Sequence, residues 1–180
     1  MPELPEVETT IKGLRSFIGS YIITIALHRN NLRYPIPKKK LKVVKNVKIL
    51  SINRLAKYIL LNLNNSYTLI VHLGMSGRLK AYFNYNSYNK NTDLHDHVEL
   101  ILNKKARIVF NDPRRFGIFD ICRSDKINDI KYFRKLGIDP FNNKFNGKYL
   151  YNIIKKSNSP IKSILLNQKV VLGIGNIYAN

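Results

Sequence analysis

The sequence predicts an α+β fold, in which a mainly antiparallel β-sandwich carries an N-terminal helix and is followed by a helical part. Three observations predict it. Apolar residues recur at helical spacing near the start, then alternate with a period of two through many short segments, and return to a helical pattern from about Asn128. We expect two domains, residues 1–124 and residues 125–180.

The first predicted element is a short helix. Pro5 suits a first-turn position, and the glutamates around it suit the positive end of the helix dipole. Apolar residues then recur on one face until Gly19 ends the helix: Val7, Ile11, Leu14 and Ile18.

Eight strand-like segments follow, rich in β-branched residues and separated by Asn, Gly, Pro and Lys. They are Tyr21–His28, Val43–Ile52, Tyr58–Leu63, Tyr67–Leu73, Leu79–Phe83, His97–Leu102, Arg107–Phe110 and Ile118–Cys122. Residues 64–66 and 103–105 are typical of hairpin turns, and Asn84–Asn91 of a mobile loop. So many short strands favour an antiparallel sandwich or barrel.

The last part has four candidate helices. They are Asp129–Leu136 closed by Gly137, Asn146–Lys156, a helix capped by Ser159-Pro160, and one starting at Asn176. The fourth has little more than one turn before Asn180, too little for independent stability. We therefore expect the chain to be truncated or to finish on another segment.

The charge balance points to a polyanionic partner. Lys and Arg total 31 against 11 Asp and Glu, a formal net charge of +20. A composition biased towards Lys, Asn, Ile and Tyr explains part of the excess but not the scarcity of acidic residues. No basic amphipathic helix concentrates the charge, which favours nucleic acid over a membrane.

The chain is expected to be cytoplasmic. Its single cysteine, Cys122, excludes an internal disulfide and any Cys-x-x-Cys metal site in these residues. Residues 1–10 are acidic, unlike a signal peptide, and the longest apolar runs cannot span a bilayer.

Met1-Pro2 is the feature of the sequence that indicates a specific chemistry most clearly. Removal of Met1 would expose a secondary α-amine, and α-amines are far less basic than lysine, so a larger fraction is nucleophilic near neutrality. Attack on a sugar aldehyde carbon would give a cationic iminium. Glu3 could move protons, and Glu6 lies one turn further on and could orient the site. The alternative is that these residues merely start a helix.

Several segments, in order, resemble one family. The opening Met1-Pro-Glu-Leu-Pro-Glu-Val-Glu-Thr resembles that of the bacterial formamidopyrimidine-DNA glycosylases. Further matches follow at Arg54-Leu-Ala-Lys57-Tyr, His72-Leu-Gly-Met75-Ser-Gly, His95-Asp-His-Val, Asn111-Asp-Pro-Arg-Arg-Phe-Gly and Gly173-Ile-Gly-Asn-Ile-Tyr-Ala. The related endonuclease VIII branch lacks the Asp-Pro-Arg-Arg-Phe loop, so oxidised purines are the expected substrates.

The resemblance implies catalytic roles. Pro2 would form the Schiff base, Glu3 would be the general acid, and Lys57 would approach the phosphate beside the lesion and assist elimination. From the residues alone, a lysine between Ala56 and Tyr58 in a strand is more often a solvated side chain.

The resemblance also implies a DNA-binding set. Enzymes that act on a base extrude it from the stack, and Met75, Arg114 and Phe116 would fill the gap. The alternative is that Met75 and Phe116 are core residues. His72, His95, Arg115 and Lys162 are candidate phosphate contacts, as is Asn176 in the second turn of an incomplete helix-two-turn-helix module.

No metal or cofactor is expected within these residues. His95 and His97 point to one face of a strand, but two histidines alone make a poor metal site. The family's zinc site would lie in a C-terminal four-cysteine finger beyond these residues. Ser157 and Asn158 stand where many relatives are richer in lysine, so the resemblance implies a weaker DNA contact at this position.

The predicted function is base-excision repair by a monomer acting on damaged double-stranded DNA. The predicted activities are removal of 8-oxoguanine and formamidopyrimidines and cleavage at the abasic site. The alternative is a truncated, non-catalytic DNA-binding remnant of the same family. A basic RNA-binding protein is disfavoured, because it would have no use for Pro2, Glu3 and a wedge loop together.

Overall fold

The computed structural model describes residues 2–84 and 93–180. The predicted loop Asn84–Asn91 falls outside them except for its first residue. The chain divides into two compact units, which meet in sequence between Ile127 and Asn128.

The first unit contains eight strands and two helices in its described residues. Its helices are α1 (Leu4–Leu14) and α2 (Lys38–Leu41), and its strands are β1 (Tyr21–Leu27), β2 (Val47–Leu55), β3 (Tyr58–Leu63), β4 (Tyr67–His72), β5 (Arg78–Tyr82), β6 (Asp96–Leu102), β7 (Ala106–Asn111) and β8 (Ile118–Arg123). The second unit contains α3 (Gly147–Ile154), α4 (Ile161–Leu166) and α5 (Asn176–Ala179). In the described residues no helix is both long and apolar enough to cross a bilayer.

The strands form an antiparallel sheet in the order β5-β7-β6-β1-β2-β3-β4-β8. β1 and β2 share only two register pairs, Tyr21↔Lys48 and Ile22↔Val47, so the sheet divides there into two halves. Phe110 on β7 and Phe119 on β8 come from opposite halves, yet their ring centroids are 6.3 Å apart. The halves therefore face each other across one core, which confirms the predicted sandwich.

Helix α1 packs on this core through Val7, Ile11 and Leu14, which are all buried. Its predicted extension to Ile18 is wrong, because the helix tightens to a 3₁₀ turn after Leu14. The tighter turn buries Phe17 and leaves Ile18 43% exposed.

Strand β2 starts later than predicted. The segment assigned to its beginning is instead a 3₁₀ turn, Lys42–Val44, that continues directly from α2. Leu41 and Val44 are buried three residues apart, which is the spacing of one helical turn rather than of a strand.

The second unit corrects two predictions. Residues 129–136 do not form an α-helix: Asp129 ends a 3₁₀ turn that begins at Ser124, and residues 131–135 form turns. Phe133 is the only buried apolar side chain of residues 129–136, so no amphipathic face is available to pack. Gly137 is not a helix cap but a point of close approach, since a Cβ there would lie 2.4 Å from the backbone of Val170. The next two helices are present, but Pro160, not Ser159, is the N-cap of α4.

Candidate active site

The start of α1 fixes Glu3 in a buried position. Glu3 is the N-cap residue, its side chain accepts from the backbone of Glu6, and its own N–H donates to Glu6 Oε2 over 2.9 Å. This reciprocal capping satisfies two otherwise unpaired donors. Glu3 is 1% exposed, and the half-buried Pro2 is attached directly to it. Glu6 thus orients Glu3 through hydrogen bonds, while its own side chain is exposed.

Lys57 lies in the two-residue turn between β2 and β3, not in a strand. Ala56 before it has φ 53°, a left-handed conformation that costs a non-glycine residue on the order of 1 kcal/mol or more. The Lys57 side chain is also buried, with 7% of the residue exposed. The interpretation of Lys57 as a solvated strand residue is therefore wrong.

The Lys57 amine has a carboxylate-rich neighbourhood. Burial lowers the pKa of Lys57, while the negative charges of Glu3 and Glu6 act to raise it. An amine whose pKa is lowered by desolvation is easier to deprotonate than a surface lysine. Glu3, Glu6 and Lys57 therefore form one electrostatically coupled group beside Pro2.

Arg54 joins this turn to α1 and was given no role from the sequence. Its Nε donates to Glu8 Oε2 over 3.3 Å, and its Nη1 donates to the Ala56 carbonyl over 3.2 Å. The Arg54 side chain is only 14% exposed, so solvent screens this bridge less than a surface ion pair. The bridge holds the strained turn against the helix that carries Glu3.

A cleft of about 690 Å³ gathers most of the predicted DNA-binding residues of the first unit. It is lined by His72, Met75, Arg114, Arg115 and Phe116, together with Asn31, Leu32, Arg33 and Gly74. Met75 and Phe116 are 43% and 45% exposed, so the interpretation of both as core residues is wrong. Exposed apolar side chains beside two arginines are suited to insertion between bases.

Two loops of the cleft meet at Gly74. This residue has φ 64°, and a Cβ there would lie 2.5 Å from the Phe116 carbonyl carbon. Only glycine allows the loop that carries Met75 to approach the loop that carries Phe116 so closely. Arg114 lies over the Phe116 ring, 5.0 Å from its centroid.

The fully buried carboxylate of Asp112 ties the same two loops together. Its Oδ1 accepts from the Ser76 hydroxyl over 2.6 Å, and its Oδ2 accepts from the Gly117 N–H over 2.7 Å. Ser76 Oγ in turn accepts from the Arg114 N–H over 3.1 Å. Asp112 and Ser76 lie within the quoted motifs, but nothing in the sequence indicated that they join two loops.

His72 is held as a neutral imidazole. Burial is the main cause that lowers its pKa from 6.5 to about 4, and the charges of Arg33 and Lys57 lower it further, against the opposing effect of Asp112. Its Nδ1 accepts from the Gly74 N–H over 3.1 Å, which assigns the proton to Nε2. His72 therefore offers a neutral N–H donor at the cleft, and its coupling to Lys57 links the cleft to the Pro2 group.

The pKa of His72 predicts a pH-dependent stability. Between pH 6.5 and about 4 this histidine is protonated in the unfolded chain and neutral in the folded chain. The contribution of His72 to the free energy of unfolding is therefore fully present above pH 6.5 and is lost as the pH falls towards 4. We expect the free energy of unfolding to fall, relative to a His72→Asn variant, by roughly 2–3 kcal/mol between about pH 7 and about pH 4. Denaturant titrations of both proteins measure it, and parallel pH profiles would contradict it.

Arg33 was not found from the sequence. It is an exposed residue after β1, it lines the cleft, and its backbone N–H donates to the Gly117 carbonyl over 3.2 Å. No local motif marks it, because a single arginine in a basic chain carries no positional signal.

The structure places His95 and His97, the two histidines considered above as a metal pair, in different environments. His97 is fully buried, and its Nε2 lies 2.8 Å from the Asp112 carbonyl oxygen. His95 precedes β6, is half-buried, and accepts the Asp112 N–H at its carbonyl oxygen over 3.0 Å. Among the described residues, no group of three or more His, Cys, Asp or Glu side chains could hold a metal ion.

The second unit holds the two remaining predicted DNA contacts. Asn176 is exposed at the start of α5, and the exposed Lys162 on α4 donates to Asn180 Oδ1. The turn before Asn176 is organised by Gln168, which the sequence did not single out. Gln168 accepts from the Gly173 N–H and donates to the Ile174 carbonyl, each over 2.8 Å.

Two domain families match the chain. The formamidopyrimidine-DNA glycosylase N-terminal domain matches residues 1–119, and the H2TH domain of the same enzymes matches residues 136–180. The formamidopyrimidine-DNA glycosylase of Rickettsia africae is 41% identical over 181 residues, which cover 100% of this chain and 64% of the relative. That of Dinoroseobacter shibae is 43% identical, with 99% and 65% covered.

Solved structures of the same enzyme are also similar to the chain. The chain is similar to Lactococcus lactis Fpg in a complex with DNA containing an abasic site, with a TM-score of 0.87, 28% identity, and 98% of this chain and 64% of that chain covered. It is also similar to the same protein in a complex with Fapy-dG-containing DNA, with a TM-score of 0.86. The chain thus spans just under two thirds of the length of these relatives. The chain belongs to the formamidopyrimidine-DNA glycosylase family.

Proposed function

We propose that the chain excises oxidised purines from double-stranded DNA and cleaves the strand at the resulting abasic site. The observation that supports this proposal is that Glu3, which follows Pro2 directly, is buried and capped and interacts electrostatically with the desolvated Lys57, in a member of this family. A cytoplasmic, nucleoid-associated place of action accompanies it.

The proposed chemistry starts after loss of Met1. The Pro2 nitrogen attacks C1′ of the damaged nucleotide, and the C1′–N bond to the base breaks as the base leaves with a proton. Glu3 supplies a proton to the opening sugar. The proton that the amine loses as the iminium forms is the one that the departing base takes up, so the cation at C1′ needs no further protonation.

The iminium then acts as an electron sink. The Glu3 carboxylate, which has donated its own proton to the sugar, accepts a proton from C2′, and the released electron pair forms a C1′–C2′ double bond. This pair then forms the C2′–C3′ double bond as the bond from C3′ to its phosphate oxygen breaks, which cuts the strand. Lys57 assists this step from beside the phosphate, because a cation there stabilises the leaving group. Hydrolysis of the conjugated iminium returns the free Pro2 amine.

The cleft residues receive the DNA in this proposal. Met75 and Phe116 enter the stack where the damaged nucleotide is extruded, and Arg114 donates to the base left without its partner. His72, His95, Arg115, Lys162 and Asn176 contact phosphates. The complexes of Lactococcus lactis Fpg with abasic and Fapy-dG DNA support this choice of ligand.

Borohydride trapping tests the proposal. Incubation of the processed chain with a duplex containing an abasic site, followed by reduction, should give a covalent protein–DNA adduct. A chain acetylated at its N-terminus is the matched control, since it keeps every side chain and loses only the nucleophile.

The outcomes separate an enzyme from a non-catalytic protein. An adduct with the processed chain and none with the acetylated chain supports the enzyme. Salt-sensitive duplex binding with no adduct from the processed chain would overturn the proposed activity and favour a non-catalytic DNA-binding protein.

A further inference from the structure

A long stretch of the first unit carries positive charge with no acidic residue. Between Glu8 and Asp93 the sequence contains no Asp or Glu. Within that stretch, residues 38–45 include five lysines, which we call the lysine patch: Lys38, Lys39, Lys40, Lys42 and Lys45. None of them belongs to the family motifs or to the predicted site.

The fold exposes the whole lysine patch. All five side chains are exposed on α2 and the turn after it, while the apolar residues between them, Leu41 and Val44, are buried. None of the five forms a salt bridge with an acidic side chain of the described residues. Because Leu41 and Val44 pack into the core, the opposite face of this segment exposes the five lysine charges to solvent.

Three further surface grooves share lining residues in turn, from the cleft to the lysine patch. A groove of about 430 Å³, lined in part by Arg29 and Asn30, shares Asn31 with the cleft. A groove of about 450 Å³ then shares Asn30 and is lined by Lys38, Lys39 and Lys40. A third, of about 370 Å³, shares Lys38 and adds Lys42 and Lys45.

We propose that the lysine patch binds the phosphate backbone of the DNA duplex flanking the lesion on one side. The inference rests on the proposed function, which places DNA in the cleft, and extends the contact along the first unit. Duplex DNA carries one negative charge per about 1.7 Å of axis. A duplex that extends from the cleft over the lysine patch therefore presents a continuous row of phosphates to it. Exposed lysines suit contacts that hold the backbone without reading the sequence.

Paired charge removal tests the proposal. The Lys39→Gln/Lys40→Gln variant is compared with Lys104→Gln/Lys105→Gln, which removes the same charge from the exposed β6–β7 turn. That turn contributes no residue to the cleft or to the three grooves described above. The ligand is a duplex with a tetrahydrofuran site, which cannot form a Schiff base.

We expect the patch variant to bind about 10- to 60-fold more weakly at about 0.1 M salt, with a salt slope smaller by about 2. The control variant should keep the slope of the unmodified chain. Shortening the DNA on one side of the tetrahydrofuran site should remove the difference in affinity between the patch variant and the unmodified chain. Shortening the DNA on the other side should leave that difference unchanged.

Equal losses in the two variants would overturn the proposal, because they would show only the effect of net charge. Absence of measurable duplex binding by the unmodified chain would overturn it as well. Since this assay involves no chemistry, a patch-dependent slope without a borohydride adduct would refute the proposed activity alone. An adduct with an unchanged slope would refute the patch alone.

Discussion

A Glu3→Gln substitution is expected to lower the single-turnover rate of base excision by about 10²- to 10⁴-fold, the usual contribution of a positioned general acid. Glutamine keeps an acceptor oxygen for the Glu6 N–H, so the start of α1 remains capped while the transferable proton is lost. The measurement is release of an oxidised purine from a duplex at saturating protein.

The companion variant is Glu6→Gln. Its side-chain oxygen can still accept the Glu3 N–H, so the reduction should be smaller than about tenfold. An excision rate for Glu3→Gln within about threefold of the unmodified chain would refute the assignment of Glu3 as the general acid.

A Lys57→Met substitution is expected to lower strand cleavage at a preformed abasic site by about 10- to 100-fold, because a cation near the leaving phosphate is lost. Methionine fills a similar volume and carries no charge to desolvate. Folding stability should fall, because removal of the Lys57 cation leaves the buried Glu3 carboxylate without that positive charge. Cleavage is therefore compared at a temperature at which both proteins are fully folded, and a loss of activity in the folded protein indicates a chemical role.

The matched control is Lys48→Met, which removes a half-exposed lysine from β2, the strand that precedes the Lys57 turn. Its cleavage rate should match that of the unmodified chain. Equal losses in both variants would contradict a specific role for Lys57, because they would reflect general loss of positive charge.

The sandwich was predictable from the sequence because its signals are local. The predicted hairpin turns at 64–66 and 103–105 are both present and join β3 to β4 and β6 to β7. The pairings of β1 with β6, β4 with β8 and β5 with β7 join strands that are not consecutive, and no local signal indicates them. Element ends were less predictable. The α1 extension to Ile18 and the early start of β2 failed because apolar residues fit more than one period over a few positions.

The candidate site was predictable only where a residue type has a chemical meaning at its position. Pro2 and Glu3 stand at the start of the chain, and the structure adds that Glu3 is buried and capped. The roles of Arg54 and Asp112 depend on contacts between residues far apart in the chain, which no spacing encodes. The burial of Lys57 likewise follows from a turn that packs near α1.

In the proposed mechanism the Pro2 nitrogen, rather than a side-chain amine, forms the covalent bond to DNA. Lys57 is the strongest competitor, because its amine has a lowered pKa and lies in the same electrostatic group. Mass spectrometry of the borohydride-reduced, protease-digested adduct identifies the modified residue directly. We predict that the sugar is on the N-terminal peptide, at Pro2; a sugar on Lys57 or on any other lysine would contradict this mechanism.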